Sequence, residues 1–243
     1  MLSGCTAPAP PDPTPTATAS AITYPEPGTV VATGTLESPD ATVSGEVSIR
    51  MIERSAGVFE LALSNFSSSV ESVEAALVPE PIDASVACYD EGFRVGTPRL
   101  TAEPEQAHML GDLGTITFGA DGDPTFFDAV VIVRPPASDE ERATCLQWVV
   151  GFANLEWSLA PRYPDLELTD RGPIDGATGE VTEERGVPAA YLVAEGDVYE
   201  VVADRFGLTL DELMYLNPTR TGNGQDPMIV YTDETLNLDP TQR

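Results

Sequence analysis

The feature that most constrains the fold is a series of eight short apolar runs between residues 28 and 159. They are rich in Val, Ile, Phe, Thr and Leu, and Gly, Pro, Asn, Asp and Ser separate them, which is typical of strands joined by tight turns. The runs are TVVATGTLES, TVSGEVSIRMI, GVFELALSNF, SVEAALVPE, ASVACYD, LGTITFGAD, FFDAVVIVRP and CLQWVVGFANLEWSL. Because no long helical pattern interrupts them, they predict an antiparallel β-sandwich over residues 28–159.

The second run shows why one face of such a strand should be buried. Its apolar residues alternate with polar neighbours, as expected of a strand with one side in a core. These residues are Val43, Val47, Ile49 and Met51. The period of two indicates a two-layered β fold, but it does not indicate what that fold does.

The charge of the chain excludes two classes of function. The 243 residues carry 40 acidic and 12 basic side chains, a formal net charge of -28, and all of the basic side chains are arginines. Such a surface repels phosphate backbones and anionic headgroups, so nucleic acid and polybasic membrane attachment are excluded as partners. The sequence contains no run of 18 or more apolar residues, so it predicts no transmembrane helix.

The amino terminus reads Leu2-Ser3-Gly4-Cys5 and leads into residues 6–27, which are rich in Pro, Thr and Ala. The four residues resemble the bacterial lipobox, and this resemblance implies that Cys5 carries a lipid anchor. Residues 1–27 are then a lipobox and a disordered, extended tether, because their composition buries almost no apolar surface. The apolar part of a signal peptide is missing, so most of that signal is expected to be absent from the chain as given. The alternative is a chance cysteine beside a disordered tail.

The two remaining cysteines, Cys88 and Cys145, lie in apolar, strand-like surroundings. In an exported protein they favour a disulfide, with two buried free thiols as the alternative. There is no CxxC pair and no Cys/His cluster, so we expect no zinc or iron–sulfur site.

Residues 28–159 contain no recognisable catalytic motif. The single histidine, His108, lies in the loop-like stretch EPEQAHMLGD, and no serine has a Gly-x-Ser-x-Gly setting. Acidic side chains around DGDP and DEE could attract a divalent cation, but DGDP lacks the rest of a calcium-binding loop. They are Asp121, Asp123, Asp139, Glu140 and Glu141. We therefore expect neither an enzyme nor a cofactor.

Residues 160–187 are rich in Pro, Gly and acids, so they predict a linker with one short strand at DLELTD. Residues 188–243 have a different pattern. A short strand at Tyr191-Leu192-Val193 precedes a helix that Asp197 and Glu200 should cap as a capping box. One apolar face of that helix is formed by Tyr199, Val202, Ala203 and Phe206, and Gly207 should end it.

A second helix should follow at once. Thr209 and Glu212 predict another capping box, and Asn217-Pro218 should close the helix. Its apolar residues are Leu210, Leu213 and Met214, with Leu216 nearby. After a polar loop, the apolar residues 228–231 and 235–238 supply a returning strand. The predicted order in this part of the chain is therefore strand, helix, helix, strand.

These residues resemble the lysin motif, or LysM domain. The matching positions are Tyr191, Val193, Gly196, Asp197, Ala203, Arg205, Phe206, Gly207, Thr209, Leu213, Asn217, Pro218, Leu236, Leu238 and Pro240. The resemblance implies a small βααβ domain that binds glycans containing N-acetylglucosamine, in bacteria mostly peptidoglycan. It also implies a shallow groove between the two loops at one end of the fold. Carried onto this chain, the groove residues are Gly196, Asp197, Val198, Tyr199, Asn217, Pro218, Thr219, Met228 and Ile229.

Three positions depart from the lysin-motif pattern. Val198 stands where the family has Thr, Asp233-Glu234 stands where it has Gly-Gln, and the loop TRTGNGQDP is long. Asp197, Tyr199 and Asn217 also have ordinary structural explanations in a helix cap, a core and a turn.

Together the two ends predict a non-catalytic lipoprotein on the outer face of the bacterial cytoplasmic membrane that binds peptidoglycan through residues 188–243. One alternative is an envelope scaffold that binds an unknown protein and no longer binds glycan. The other is a cell-wall hydrolase, which would need catalytic groups in the β-sandwich.

Overall fold

The computed structural model describes residues 24–54, 57–90, 95–96, 99–101, 103–109, 123–221, 226 and 228–243. Cys5, the tether up to residue 23, and the run LGTITFGAD with Asp121 lie outside these ranges. The predictions that concern them are therefore not addressed by the structure.

The described residues are mainly β, with three short α-helices. The strands are β1 (Val30–Thr35), β2 (Val43–Glu53), β3 (Val58–Ser68), β4 (Glu74–Val78), β5 (Val95–Gly96), β6 (Glu105–Met109), β7 (Ala129–Arg134), β8 (Trp148–Asn154), β9 (Glu156–Trp157), β10 (Glu180–Glu184), β11 (Val187–Leu192) and β12 (Thr235–Asn237). The helices are α1 (Asp139–Thr144), α2 (Tyr199–Phe206) and α3 (Leu210–Leu216). None of these helices is long and apolar enough to cross a membrane.

The strands form three sheets in which every pairing is antiparallel, as the alternating patterns predict. The first sheet has the order β6-β3-β2-β1-β9 and the second has the order β5-β4-β7-β8. The third sheet, β10-β11-β12, belongs to the end of the chain. We refer to residues 24–159 as the β region and to residues 160–243 as the C-terminal unit.

The first two sheets share one hydrophobic core. Met51, Phe59 and Leu61 contribute to it from the first sheet, and Leu77 and Ile132 contribute from the second. All five side chains are fully buried. Burial of this kind supplies the main favourable term in folding, at roughly 25 cal/mol per Å² of apolar surface.

The second sheet is buried on its other face too, because the segment after β4 folds across it. Ile82 and Tyr89 from that segment pack on Val131 and Val133 of β7. A disulfide between Cys88 and Cys145 closes a separation of 57 residues and holds the end of the segment in place. The predicted disulfide is confirmed. Asp90 lies beside the two sulfurs, but their bond to each other leaves no thiolate to bind a metal.

Two predictions for the β region are wrong, and one helix was not predicted. ASVACYD forms no strand among its residues, all of which are described, and contributes only an isolated bridge between Cys88 and Trp148. His108 lies on strand β6, not in a loop. Helix α1 was not predicted; Ser138 caps it by accepting a hydrogen bond from the Glu141 amide at 3.2 Å. Short elements such as these depend on their neighbours more than on their own periodicity.

The C-terminal unit has the order β10, β11, α2, α3, β12, with its own core. Residues 165–170, which are fully described, form no strand, so the strand predicted at DLELTD is wrong. The segment predicted as a linker instead supplies β10 and packs Tyr163 and Ala177 into the core of the unit. Its polar composition concealed this role because only a few of its side chains are buried.

Candidate functional site

The loop between β11 and α2 forms one side of the predicted groove. Gly196 has φ +86, a left-handed conformation that glycine adopts without a steric penalty. Helix α2 starts after Val198, which makes no side-chain capping bond. The capping box predicted for Asp197 and Glu200 is therefore wrong.

The Asp197 carboxylate serves the tertiary structure instead. Its Oδ2 accepts hydrogen bonds from the Tyr191 hydroxyl at 2.6 Å and from the Ala194 amide at 2.8 Å. Its Oδ1 accepts one from the Thr178 amide at 2.8 Å. Burial acts to raise the pKa of Asp197, but these bonds outweigh it and lower the pKa below the ordinary value. Asp197 thus fixes the loop to β11 and to the segment before β10.

Tyr199 and Arg220 join the two loops of the predicted groove. The Tyr199 ring is buried, and the guanidinium carbon of Arg220 lies 4.4 Å from the ring centroid. Burial raises the pKa of the Tyr199 hydroxyl to about 12, although the charge of Arg220 opposes the shift. A cation at this distance from an aromatic face is attracted by the ring quadrupole.

The other side of Arg220 holds the segment that precedes β12. Its Nε donates to Glu234 Oε1 at 2.5 Å and its Nη2 donates to the Ile229 carbonyl at 2.6 Å. Glu234 Oε2 also accepts a hydrogen bond from the Tyr231 amide at 3.1 Å. Arg220 therefore links residues 228–234 to Tyr199 at the start of α2, and backbone hydrogen bonds between Val193 and residues 233 and 234 hold the same segment.

Asn217 connects the end of α3 to β12. Its Nδ2 donates to the Leu213 carbonyl at 2.9 Å and to the Asn237 carbonyl at 3.0 Å. Its Oδ1 accepts a hydrogen bond from the Asn237 amide at 2.7 Å. Pro218, which follows it, is buried, whereas Thr219 is exposed. Buried Asn217 and Pro218 thus support the loop that follows α3, and Thr219 of that loop faces solvent.

Large apolar side chains remain exposed on these two loops. The exposed fraction is 50% for Val198, 47% for Met228, 49% for Ile229 and 42% for Tyr231. Apolar and aromatic groups that stay exposed beside polar backbone are suited to the flat faces and N-acetyl groups of sugars. The predicted groove residues that are accessible to a ligand are Gly196, Val198, Thr219, Met228 and Ile229.

Sequence reasoning missed three residues of this site, namely Arg220, Glu234 and Tyr231. Arg220 and Glu234 are 14 residues apart, and a long polar loop lies between them. A lone arginine in an acidic chain gives no periodic signal, so only the folded structure shows its partner.

The β region has a separate open cleft of about 710 Å³ beside β1. Hydroxyl groups and the carboxylates of Glu37, Glu46 and Glu156 line it, and none of the described residues in its walls is basic. The negative charge makes this cleft unsuited to anionic ligands.

Comparison of the chain with protein-family models, with curated proteins and with solved structures gives no match.

Proposed function

We propose that this protein is a non-catalytic lipoprotein of the bacterial cell envelope that binds peptidoglycan through its C-terminal unit. In this proposal the β region is a β-sandwich, and β11, α2, α3 and β12 form a domain of the LysM type. Cys5 carries the lipid that anchors the chain to the outer face of the cytoplasmic membrane. The tether then separates the folded regions from the lipid surface.

The observation that supports glycan binding best is the junction made by Arg220. It joins Tyr199 to the segment at residues 228–234. The lysin-motif resemblance implies a groove with Tyr199 on one side and with Met228 and Ile229 of that segment on the other. Exposed apolar side chains lie on both sides, with Val198 on the first and Met228 and Ile229 on the second. In the same loops, backbone amides can donate hydrogen bonds to N-acetyl groups, and backbone carbonyls can accept hydrogen bonds from them.

The strand, helix, helix, strand order gives further support, because it is the order that the resemblance implies. The left-handed Gly207 after α2 and the capping box at Thr209 and Glu212 have the geometry expected at those motif positions. These features argue for the domain type, while the exposed loop residues argue for its ligand.

The test is co-sedimentation of the full chain with insoluble peptidoglycan, with chitin as a parallel matrix. Cys5→Ser is present in all samples so that lipid does not contribute. We expect binding that soluble N-acetylglucosamine oligomers compete away. Ile229→Ala together with Met228→Ala should weaken it about thirtyfold, since the two removed apolar contacts contribute about 1 kcal/mol each.

Leu146→Ala is the matched control, because Leu146 is 54% exposed on the β region, far from these loops in sequence. It should bind as the parent does. A folded parent protein that stays in the supernatant with both matrices would contradict glycan binding. If the parent protein sediments with peptidoglycan only after an envelope protein extract is added, the scaffold alternative is favoured.

A further inference from the structure

An ion pair joins the β region to the C-terminal unit. Nη1 of Arg243 lies 3.0 Å from Oδ2 of Asp123 and donates a hydrogen bond to Oγ1 of Thr125 at 3.1 Å. The guanidinium carbon of Arg243 also lies 3.8 Å from the centroid of the Tyr215 ring. We call Asp123, Thr125, Tyr215 and Arg243 the Arg243 cluster.

Asp123 is fixed to the β region by its own hydrogen bonding. Its Oδ1 accepts a hydrogen bond from the Thr125 amide at 2.9 Å and so caps the short 3-10 helix Pro124–Phe126. Phe126 at the end of that helix is buried in the main core. The second oxygen of Asp123 is therefore directed by a rigid turn toward Arg243.

Tyr215 is fixed to the C-terminal unit in the same way. It lies on α3, is 9% exposed and belongs to the core of that unit. Its ring packs edge-on against Tyr163, with the ring centroids 4.8 Å apart. The guanidinium of Arg243 thus contacts one rigid group from each folded part of the chain.

The pair is largely removed from water. The side chain of Arg243 is 8% exposed and that of Asp123 is 10% exposed. Arg162 and Asp211 line the same small pocket, so charges of both signs meet there. When one partner of a nearly buried pair is removed, the other is left with an uncompensated charge, which strongly disfavours the packed arrangement.

We propose that the Arg243 cluster locks the C-terminal unit onto the β region in one orientation. The two parts then move as one body, and the exposed loops of the C-terminal unit face a fixed direction relative to the start of the β region. This role does not depend on glycan binding. The folded part of the chain then has one fixed geometry. Without the cluster, two units joined through the short segment 160–162 would reorient relative to each other.

Pulsed electron paramagnetic resonance on the full chain tests this orientation directly. Spin labels at Glu46→Cys on β2 and Glu183→Cys on β10 are both on exposed positions, one in each part. Cys5→Ser prevents labelling elsewhere. We expect a narrow distance distribution in this background, and a clearly broader one after Arg243→Ala or Asp123→Asn. Arg142→Ala, which removes an exposed arginine of α1, should leave the distribution narrow.

Trypsin gives a second measurement, since Arg162 lies at the junction and is followed by Tyr163. Cleavage after Arg162 should be about tenfold faster in the Arg243→Ala protein, because loss of the cluster raises the population of the open form. If Arg243→Ala and Asp123→Asn are folded and keep the narrow distribution and the parent cleavage rate, the proposal is wrong. If Arg243→Ala does not fold, the nearly isosteric Asp123→Asn decides the outcome alone.

Discussion

The guanidinium of Arg205 donates two hydrogen bonds to the carboxylate of Asp170, at 2.7 and 2.9 Å, across 35 residues of sequence. The side chain of Arg205 is 3% exposed, and its Nη1 also donates to the carbonyls of Ala177 and Gly179. It therefore fastens the segment before β10 to helix α2. Because a planar guanidinium satisfies all of these acceptors at once, no other side chain can replace it there.

Arg205→Met should lower the stability of the C-terminal unit by about 3 kcal/mol, because Asp170 and two buried carbonyls lose their donor. Methionine retains most of the packing between the Tyr191 and Phe206 rings. Hydrogen exchange of the α2 amides in the full chain measures the opening free energy of this unit. Arg142→Met, on the exposed surface of α1, should leave it unchanged. Equal protection of α2 in both variants would refute the proposed role of Arg205.

The boundaries of the folded C-terminal unit can be tested with two fragments. Residues 160–243 contain Tyr163, Asp170 and β10, and we expect this fragment to fold with a cooperative thermal transition. Residues 187–243 lack those contacts and leave β11 paired on one side only, so we expect no cooperative transition. Circular dichroism during heating distinguishes the two. A cooperative transition in the shorter fragment would show that residues 160–186 are dispensable.

Acid should destabilise the protein below about pH 4, close to the ordinary range of carboxyl groups. The hydrogen bond from Arg205 lowers the pKa of Asp170, and that from Arg134 lowers the pKa of Glu141 to about 2. A carboxyl group with a lowered pKa in the folded state stabilises that state above its unfolded pKa, and this contribution is lost as the pH falls through the folded value.

Urea unfolding at pH 6, 4 and 2.5 measures this effect. Asp170→Asn should be less stable than the parent at pH 6, and the difference should shrink toward pH 2.5 because Asp170 of the unfolded parent is protonated below its ordinary pKa, which favours unfolding. A difference that stays constant over the three pH values would mean that the Asp170 charge does not contribute.

Removal of the disulfide should destabilise the β region. For a closed loop of this length the chain-entropy model gives about 4 kcal/mol for the loss of the cross-link. The double variant Cys88→Ser with Cys145→Ser, in the Cys5→Ser background, should show this in urea unfolding followed by Trp fluorescence. We also expect faster amide exchange in the segment that carries Ile82 and Tyr89, which packs on the outer face of the second sheet. Unchanged exchange in that segment would show that its apolar contacts hold it without the cross-link.

Two helix starts show how far local sequence rules extend. The pattern at Thr209 and Glu212 predicts a capping box, and both of its hydrogen bonds form, at 3.3 and 2.6 Å. The pattern at Asp197 and Glu200 is equally good, yet Asp197 binds Tyr191, Ala194 and Thr178 instead. The two sites differ because a strand and a preceding segment offer donors to Asp197, and those donors are invisible to a local pattern.

The sequence by itself determined the antiparallel β character, most of the strands of the β region and the order of elements after residue 188, and it favoured the disulfide that the structure confirms. These features follow from periodicity, turn residues and cysteine count, which act over a few neighbouring residues. Only the tertiary structure decided that residues 160–187 belong to the C-terminal unit, that Arg220 joins the two loops of the candidate groove and that Arg243 bridges the two folded parts. The first depends on β10 and on Tyr163 and Ala177 in the core of the unit, and the other two depend on a charged side chain that meets a distant partner. Such contacts are set by the packing of whole elements, which no local pattern shows.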